Sequence, residues 1–230
     1  MKGRKLMRIV IRVGGSVVAS PINPALIEKY AAILKTLREE KNEIVVVVGG
    51  GALAREFITI GKSLNLEMQE QDEIAISVSR LFAQVFVKKL GDSACSKVAT
   101  TLDEAAECLS AKKILVMGGL RPGITTDAVA ALVAERTNAD LLLKGTDQDG
   151  IYNKDPRENK DALKLDCLSF DNLQNVLSET EHKAGIHQII DPEAVKILKR
   201  SRVKLIVVNG FEPENMLAAV KGKKVGTVVN

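Results

Sequence analysis

The chain contains no tryptophan, and aromatic residues make up only 3% of its 230 positions. That leaves little material for stacking the bases of a nucleic-acid strand. Histidine is scarce too: His182 and His187 stand five apart in an expected loop, better read as solvated or lightly packed side chains than as metal ligands. The three cysteines, Cys95, Cys108 and Cys167, are odd in number and form no C-x-x-C pair. Their spacing indicates neither a disulfide framework nor a zinc site and fits a reducing, cytoplasmic setting. No apolar run approaches the roughly 20 residues needed to cross a bilayer, so no membrane partner is expected. The basic start resembles a secretory signal only superficially, because Arg8 and Arg12 interrupt its apolar part and no cleavage site follows. Met7 could serve as the natural start, the first six residues being an extension. A net charge of +4 without a long basic run gives no footprint for nucleic acid.

What is present is ordinary for a globular protein: 46% hydrophobic and 27% charged residues. Short runs rich in Ile, Val and Leu at Met7–Val13, Glu43–Val48, Lys113–Met117, Asp140–Leu143 and Lys204–Val208 are apolar at nearly every position. Continuous hydrophobicity predicts strands covered on both faces, as in a mainly parallel sheet. Between them, helices are predicted over Pro24–Glu40, Ala52–Leu64, Glu73–Leu90, Asp127–Thr137, Pro192–Arg200 and Pro213–Val220. In Glu73–Leu90, the stripe Ile74, Val78, Leu81, Val85 and Phe86 reads as core, with a subunit contact as the second reading. The expected architecture is an α/β, three-layer αβα sandwich around a mainly parallel sheet. No repeat or linker divides it, so residues 1–230 are read as a single domain.

In such sheets ligands collect at the carboxyl ends of the strands, and four of those ends are unusual here. The first is Arg12-Val13-Gly14-Gly15-Ser16, where two glycines admit an anion to the backbone and Arg12 breaks an apolar strand. A surface-escaping arginine or a structural pair explains Arg12 equally well. The second is Gly49-Gly50-Gly51 at a helix start, with Arg55 near the first turn. Helix N-termini bind anions, although close helix–strand packing would also use glycine there. The third, Gly118-Gly119-Leu120-Arg121-Pro122-Gly123-Ile124-Thr125-Thr126-Asp127, offers a cation, hydroxyls and backbone donors, part of which a helix cap explains. The fourth runs from Lys144 through Thr146, Asp147, Gly150 and Tyr152 to Asp155 and reads by itself as a loop. Four such ends on one edge suit phosphoryl transfer, which depends on positioning and charge neutralisation.

Taken in order, GGS at Gly14–Ser16, VVGGGALARE at Val47–Glu56, MGG-x-x-PG-x-TTDA at Met117–Ala128 and T-x-x-DG-x-Y-x-x-DP at Thr146–Pro156 resemble the amino acid kinase family, most closely its archaeal uridylate kinase branch. Lys183-Ala184-Gly185 and Ile190-Asp191-Pro192 extend the likeness toward the end of the chain. The resemblance implies transfer of phosphate from ATP to UMP with Mg²⁺, in pyrimidine nucleotide synthesis, by a homohexamer. It places Gly14, Gly15, Ser16, Gly51, Arg55, Thr146, Tyr152 and Asp155 on ATP. Gly50, Asp72, Leu120, Arg121, Pro122, Gly123, Ile124, Thr125 and Thr126 fall on UMP, with Asp72 at its ribose. Arg12 and Asp127 would be catalytic, Asp127 organising the charged groups, and no metal ligand is assigned to the protein. The N-terminal part would bind mainly UMP and the C-terminal part mainly ATP.

The chain departs from the family pattern at Arg12, where many members have lysine, and at Asp147, where relatives often have asparagine. Lys144 stands where relatives are usually apolar or small and is expected to offset Asp147; Phe82 replaces a frequent asparagine. Two other readings are a sister kinase acting on acetylglutamate, carbamate or isopentenyl phosphate, and a non-catalytic anion-binding member of the fold. Isopentenyl phosphate enzymes are expected to carry a histidine after the triple glycine, and Ala52–Ile60 contains none.

Overall fold

The computed structural model describes residues 6–181 and 189–230. From the N-terminus its elements are β1 (Arg8–Val13), α1 (Gly15–Val18), α2 (Pro24–Glu39), β2 (Glu43–Val48), α3 (Gly51–Ser63) and α4 (Met68–Leu90). There follow α5 (Leu102–Ser110), β3 (Leu115–Met117), α6 (Thr126–Arg136), β4 (Leu141–Thr146), β5 (Ile151–Tyr152) and β6 (Lys164–Leu165). The chain closes with β7 (Cys167–Leu168), α7 (Phe170–Glu181), α8 (Pro192–Ser201), β8 (Lys204–Asn209), α9 (Glu214–Val220) and β9 (Thr227–Val229). His182, His187 and Lys183-Ala184-Gly185 lie outside the described residues.

The five continuous apolar runs form the parallel part of a seven-stranded sheet, ordered β3-β2-β1-β4-β8-β9-β7. β9 pairs antiparallel to β8, and β7 runs parallel to β9. β5 and β6 form a separate antiparallel pair. Strand order turns back between β1 and β4, which places a ligand crevice at their carboxyl ends.

Side-chain alternation along the strands fills two cores. Ile9, Ile11, Val13, Leu141 and Leu143 pack with Tyr30, Leu34, Phe86 and Leu90 from α2 and α4. Val10, Leu142, Val45 and Leu205 pack on the other face with Val129, Val133, Val195 and Leu198 from α6 and α8. Because successive strand residues alternate faces, Arg12 and Lys144 fall on the α6 side. They are also register partners across the β1–β4 pair.

Most boundaries agree with expectation, and the differences have identifiable causes. β4 runs on through Lys144, Gly145 and Thr146 rather than ending at Leu143. α4 begins at Met68, where Glu67 and Glu70 form a capping box, so Asp72 lies inside the helix rather than at its start. On α4, Val78 and Phe86 are buried, whereas Leu81 and Val85 are exposed. The elements α1, β5, β6, β7 and β9 are too short to show a period in the sequence, and α5 and α7, which are amphipathic helices, are not among the predicted ones.

One expectation is overturned: Cys95 and Cys108 form a disulfide. The Cys95 N–H donates to Ile114 O at 3.0 Å, which lays this segment along the edge of β3. α5 then returns over that edge and brings the two Cα atoms to 6.2 Å. Tertiary folding makes this pair, so linear spacing could not reveal it. The reading of a reducing setting, which rested on unpaired thiols, loses that support. Alkylation of the unreduced, denatured protein should label Cys167 alone, and reduction should expose all three thiols. Urea titrations should show the reduced protein less stable by about 3 kcal/mol, the loop-closure effect for a loop of this size.

Candidate active site

The site is assembled from the strand ends upward. Arg12 and Lys144, side by side on β1 and β4, point at the first turn of α6, where Asp127 lies. Arg12 Nε stands 2.7 Å from Asp127 Oδ1, and Lys144 Nζ lies 2.6 Å from Oδ1 and 2.5 Å from Oδ2. Arg12 also donates from Nη2 to Thr126 Oγ1 at 2.9 Å. The Arg12 Nε contact with Asp127 is electrostatic rather than an aligned hydrogen bond, and among the described residues that buried donor has no hydrogen-bond acceptor. The Asp191 N–H reaches Asp127 Oδ2 at 3.3 Å, and Thr125 Oγ1 donates to Asp191 Oδ2. Two cations thus share one carboxylate, and all three side chains are buried or nearly so.

This arrangement moves both titrating groups. Burial pushes the Asp127 carboxyl up, but Lys144 and Arg12 outweigh it and hold it down at about 2. Burial pushes the Lys144 ammonium down to about 8, against the attraction of Asp127. Asp127 is therefore a fixed anion at neutral pH, suited to organising cations and unsuited to accepting a proton.

Glycine is required around the guanidinium. A Cβ at Gly14 would stand 2.7 Å from Gly145 O and 3.2 Å from Arg12 Nη1. One at Gly15 would come within 2.2 Å of Gly51 N, because the turns after β1 and β2 touch. Gly51 has φ +63°, a left-handed conformation that disfavours side chains. Ser20 ties the two turns together: its Oγ donates to Gly15 O at 3.1 Å and accepts from Ala52 N at 2.6 Å.

Above the cations opens a cleft of about 470 Å³. Of the residues expected from sequence, Arg12, Gly15, Ser16, Gly50, Gly51, Arg55, Thr125, Thr126, Asp127 and Thr146 line it. Gly14 packs beneath Arg12. The loop between β3 and α6 is tied to α4: Asp72 Oδ2 accepts from Gly123 N at 2.8 Å, and Ser79 Oγ accepts from Gly119 N at 2.7 Å. Arg80 donates to Gly119 O and Leu120 O, both at 2.9 Å. Leu120, Arg121, Pro122, Gly123, Ile124 and Asp72 are thus gathered beside the cleft rather than on its wall. Tyr152 and Asp155 do not line it either; Asp155 receives Arg157, which does.

Sequence reasoning passed over Gln148, Arg157, Ile58 and Ile189 on the cleft wall, and Ser79, Arg80 and Asp191 behind it. It also misassigned Lys144, whose ammonium goes to Asp127 and not to Asp147. The departure at Phe82 is an apolar one, since its side chain is buried in the α2–α4 core.

The fold and cleft define an α/β protein with a glycine-walled, cation-bearing crevice at the switch point of its sheet. The model of the amino acid kinase family matches residues 7–209, and the chain belongs to that family. It is 44% identical over 226 residues to the uridylate kinase of Methanocaldococcus jannaschii, covering 97% of this chain and 99% of that protein. Identity to the uridylate kinase of Methanococcoides burtonii is 41% over 221 residues, with 96% and 94% covered. The crystal structure of uridylate kinase from Archaeoglobus fulgidus superposes with a TM-score of 0.89 at 38% identity, over 97% of this chain and 100% of that one. The UMP kinase of Bacillus anthracis shares the fold at 20% identity, with a TM-score of 0.84 over 99% of this chain and 97% of its own.

Asp127→Asn should leave two buried cations without a counter-charge and cost about 3–5 kcal/mol in urea unfolding at neutral pH. The parent carboxyl is lowered from 3.8 to about 2 on folding. Its contribution is therefore complete above about pH 4 and is lost as pH falls through 2. Stability measured against pH should show that acid loss in the parent, and the variant should lack the Asp127 part of it.

Proposed function

We propose that this chain is a uridylate kinase that transfers the γ-phosphoryl group of ATP to UMP, giving UDP and ADP. The observation that carries the reading is the buried Arg12–Asp127–Lys144 cluster, which has more positive than negative charge at the floor of a glycine-walled cleft. In the transfer, a UMP phosphate oxygen forms a bond to the γ-phosphorus while the bond to the β,γ-bridging oxygen breaks. The nucleophile is a phosphate monoester whose second ionisation falls near pH 6, so it arrives deprotonated and needs no general base. A carboxylate saturated by cations fits that requirement. Arg12 would neutralise charge between the two phosphates, and its buried Nε supplies a donor that no acceptor among the described residues takes in hydrogen-bond geometry.

Gly14, Gly15, Ser16, Gly51, Arg55, Thr146, Tyr152 and Asp155 would serve ATP. Gly50, Asp72 and Leu120 through Thr126 would serve UMP. The N-terminal part is read as binding mainly acceptor and the C-terminal part mainly donor, with the glycine turns after β1 and β2 reaching the donor's phosphates. Among the described residues no three His, Cys, Asp or Glu side chains gather into a metal cage. Mg²⁺ held chiefly by phosphates needs only one or two protein carboxylates, and Asp147 on the cleft wall fits that role. The metal would neutralise phosphate charge and orient the triphosphate. A cytoplasmic homohexamer completes the proposal; the apolar side chains exposed on α3 and α4, among them Ile60, Leu81 and Val85, support association of subunits.

Incubation with Mg-ATP and a panel of acceptors tests the reading. UMP should give UDP and ADP, and ADP release with acetylglutamate but not UMP would overturn it. Arg12→Ala should lower turnover about 100-fold or more while changing UMP affinity far less, as expected for a group acting on transition-state charge. Equal turnover in variant and parent would remove Arg12 from that role.

A further inference from the structure

Lys144 is the one member of the buried cluster that the reading above leaves without a task. A pair of Arg12 and Asp127 would already be neutral, and burying a second cation beside it carries a desolvation penalty of several kcal/mol. Its nearest compensation is Asp127, shared with Arg12; Asp191, at the start of α8, adds a weaker attraction. Asp191 is itself engaged by Thr125 Oγ1 and the Glu193 N–H. The cluster therefore retains positive charge that its structural contacts do not use.

The donors of Lys144 point the same way. An ammonium has three N–H groups, and Asp127 receives Nζ through both carboxylate oxygens. Among the described residues no acceptor takes a third bond, and Lys144 lines the cleft together with Gly15, Gly51 and Thr126. Arg12, by contrast, is fixed by Thr126 and closely walled by Gly14 and Gly49. A planar guanidinium held in this way binds one geometry, whereas an ammonium on a four-carbon stem can follow charge as it shifts.

We propose that Lys144 is a second catalytic cation of the phosphoryl transfer, oriented by Asp127 and presenting its remaining N–H to the group in flight. The inference rests on the kinase reading given above. It assigns β4 a direct part in the chemistry and divides the work between a fixed cation on β1 and an adaptable one on β4. Asp127 then serves both cations as a common positioning anion.

Lys144→Met and Lys144→Arg test the assignment, with rates taken relative to the parent on whichever acceptor the parent phosphorylates. Failure of UMP as acceptor would thus count against the kinase assignment alone. Lys144→Met should lower kcat at least about 100-fold while nucleotide dissociation constants change less than about tenfold. Lys144→Arg should recover part of that loss. The parent's kcat/KM should fall as pH rises above about 8, where the free ammonium loses its proton. That alkaline limb should be missing from Lys144→Arg, because arginine stays charged.

Binding supplies a readout that does not depend on turnover. Calorimetry near pH 8 in buffers of different ionisation enthalpy should show proton uptake by the parent on binding ATP, as phosphate charge restores the ammonium. Lys144→Met should lack that uptake. Turnover of Lys144→Met within about threefold of the parent, or a parent-like alkaline limb in Lys144→Arg, would overturn the proposal.

Discussion

Two cations on neighbouring strands share one carboxylate inside the protein, and much of the surrounding architecture follows from that contact. The register of β1 against β4 puts Arg12 beside Lys144, and strand alternation turns both toward α6. Asp127 meets them from the first turn of α6, where a carboxylate is also favoured by the helix dipole. Losing Asp127 would leave like charges facing each other out of water. The site and the stability of the central strands are therefore coupled through a single side chain.

The glycines are the steric counterpart of this electrostatic constraint. A Cβ at Gly14 would meet the Gly145 carbonyl and one at Gly49 the Gly15 N–H, and both would crowd the guanidinium that lies across the two strand ends. The contact between the turns at Gly15 and Gly51 further brings the starts of α1 and α3 together over the cations. Backbone donors and charged side chains thereby converge on one cleft, an arrangement that stabilises phosphoryl charge with little reorganisation. Asp72, Ser79 and Arg80 extend the same logic to the loop between β3 and α6 by fastening it to α4, a helix anchored in the core by Val78 and Phe86.

The parallel strands were legible because burial on both faces leaves an uninterrupted apolar run, and the glycine turns because they go beyond what a tight turn requires. Lys144 was only half legible. A charged residue after Asp140–Leu143 looks like the end of a strand, yet β4 continues through it because Asp127, distant in sequence, neutralises it. The Cys95–Cys108 bond depends in the same way on α5 folding back over β3. Arg157 and Gln148 sit in a loop whose composition says turn, and their place on the cleft wall is decided by tertiary packing. The failures of sequence reasoning thus lie where a partner comes from far along the chain. Its successes lie where the signal is local periodicity or a dense run of glycine.

The central claim is that phosphate is transferred over the Arg12–Asp127–Lys144 cluster. A crystal structure with UMP and a non-hydrolysable ATP analogue tests it most directly. The account predicts that the γ-phosphate and the UMP phosphate face each other across Gly50 and Gly51, with Arg12 Nε and Lys144 Nζ within about 3.2 Å of their oxygens. Phosphates bound away from the carboxyl ends of β1 and β4, with the two cations touching only Asp127 and Thr126, would contradict it.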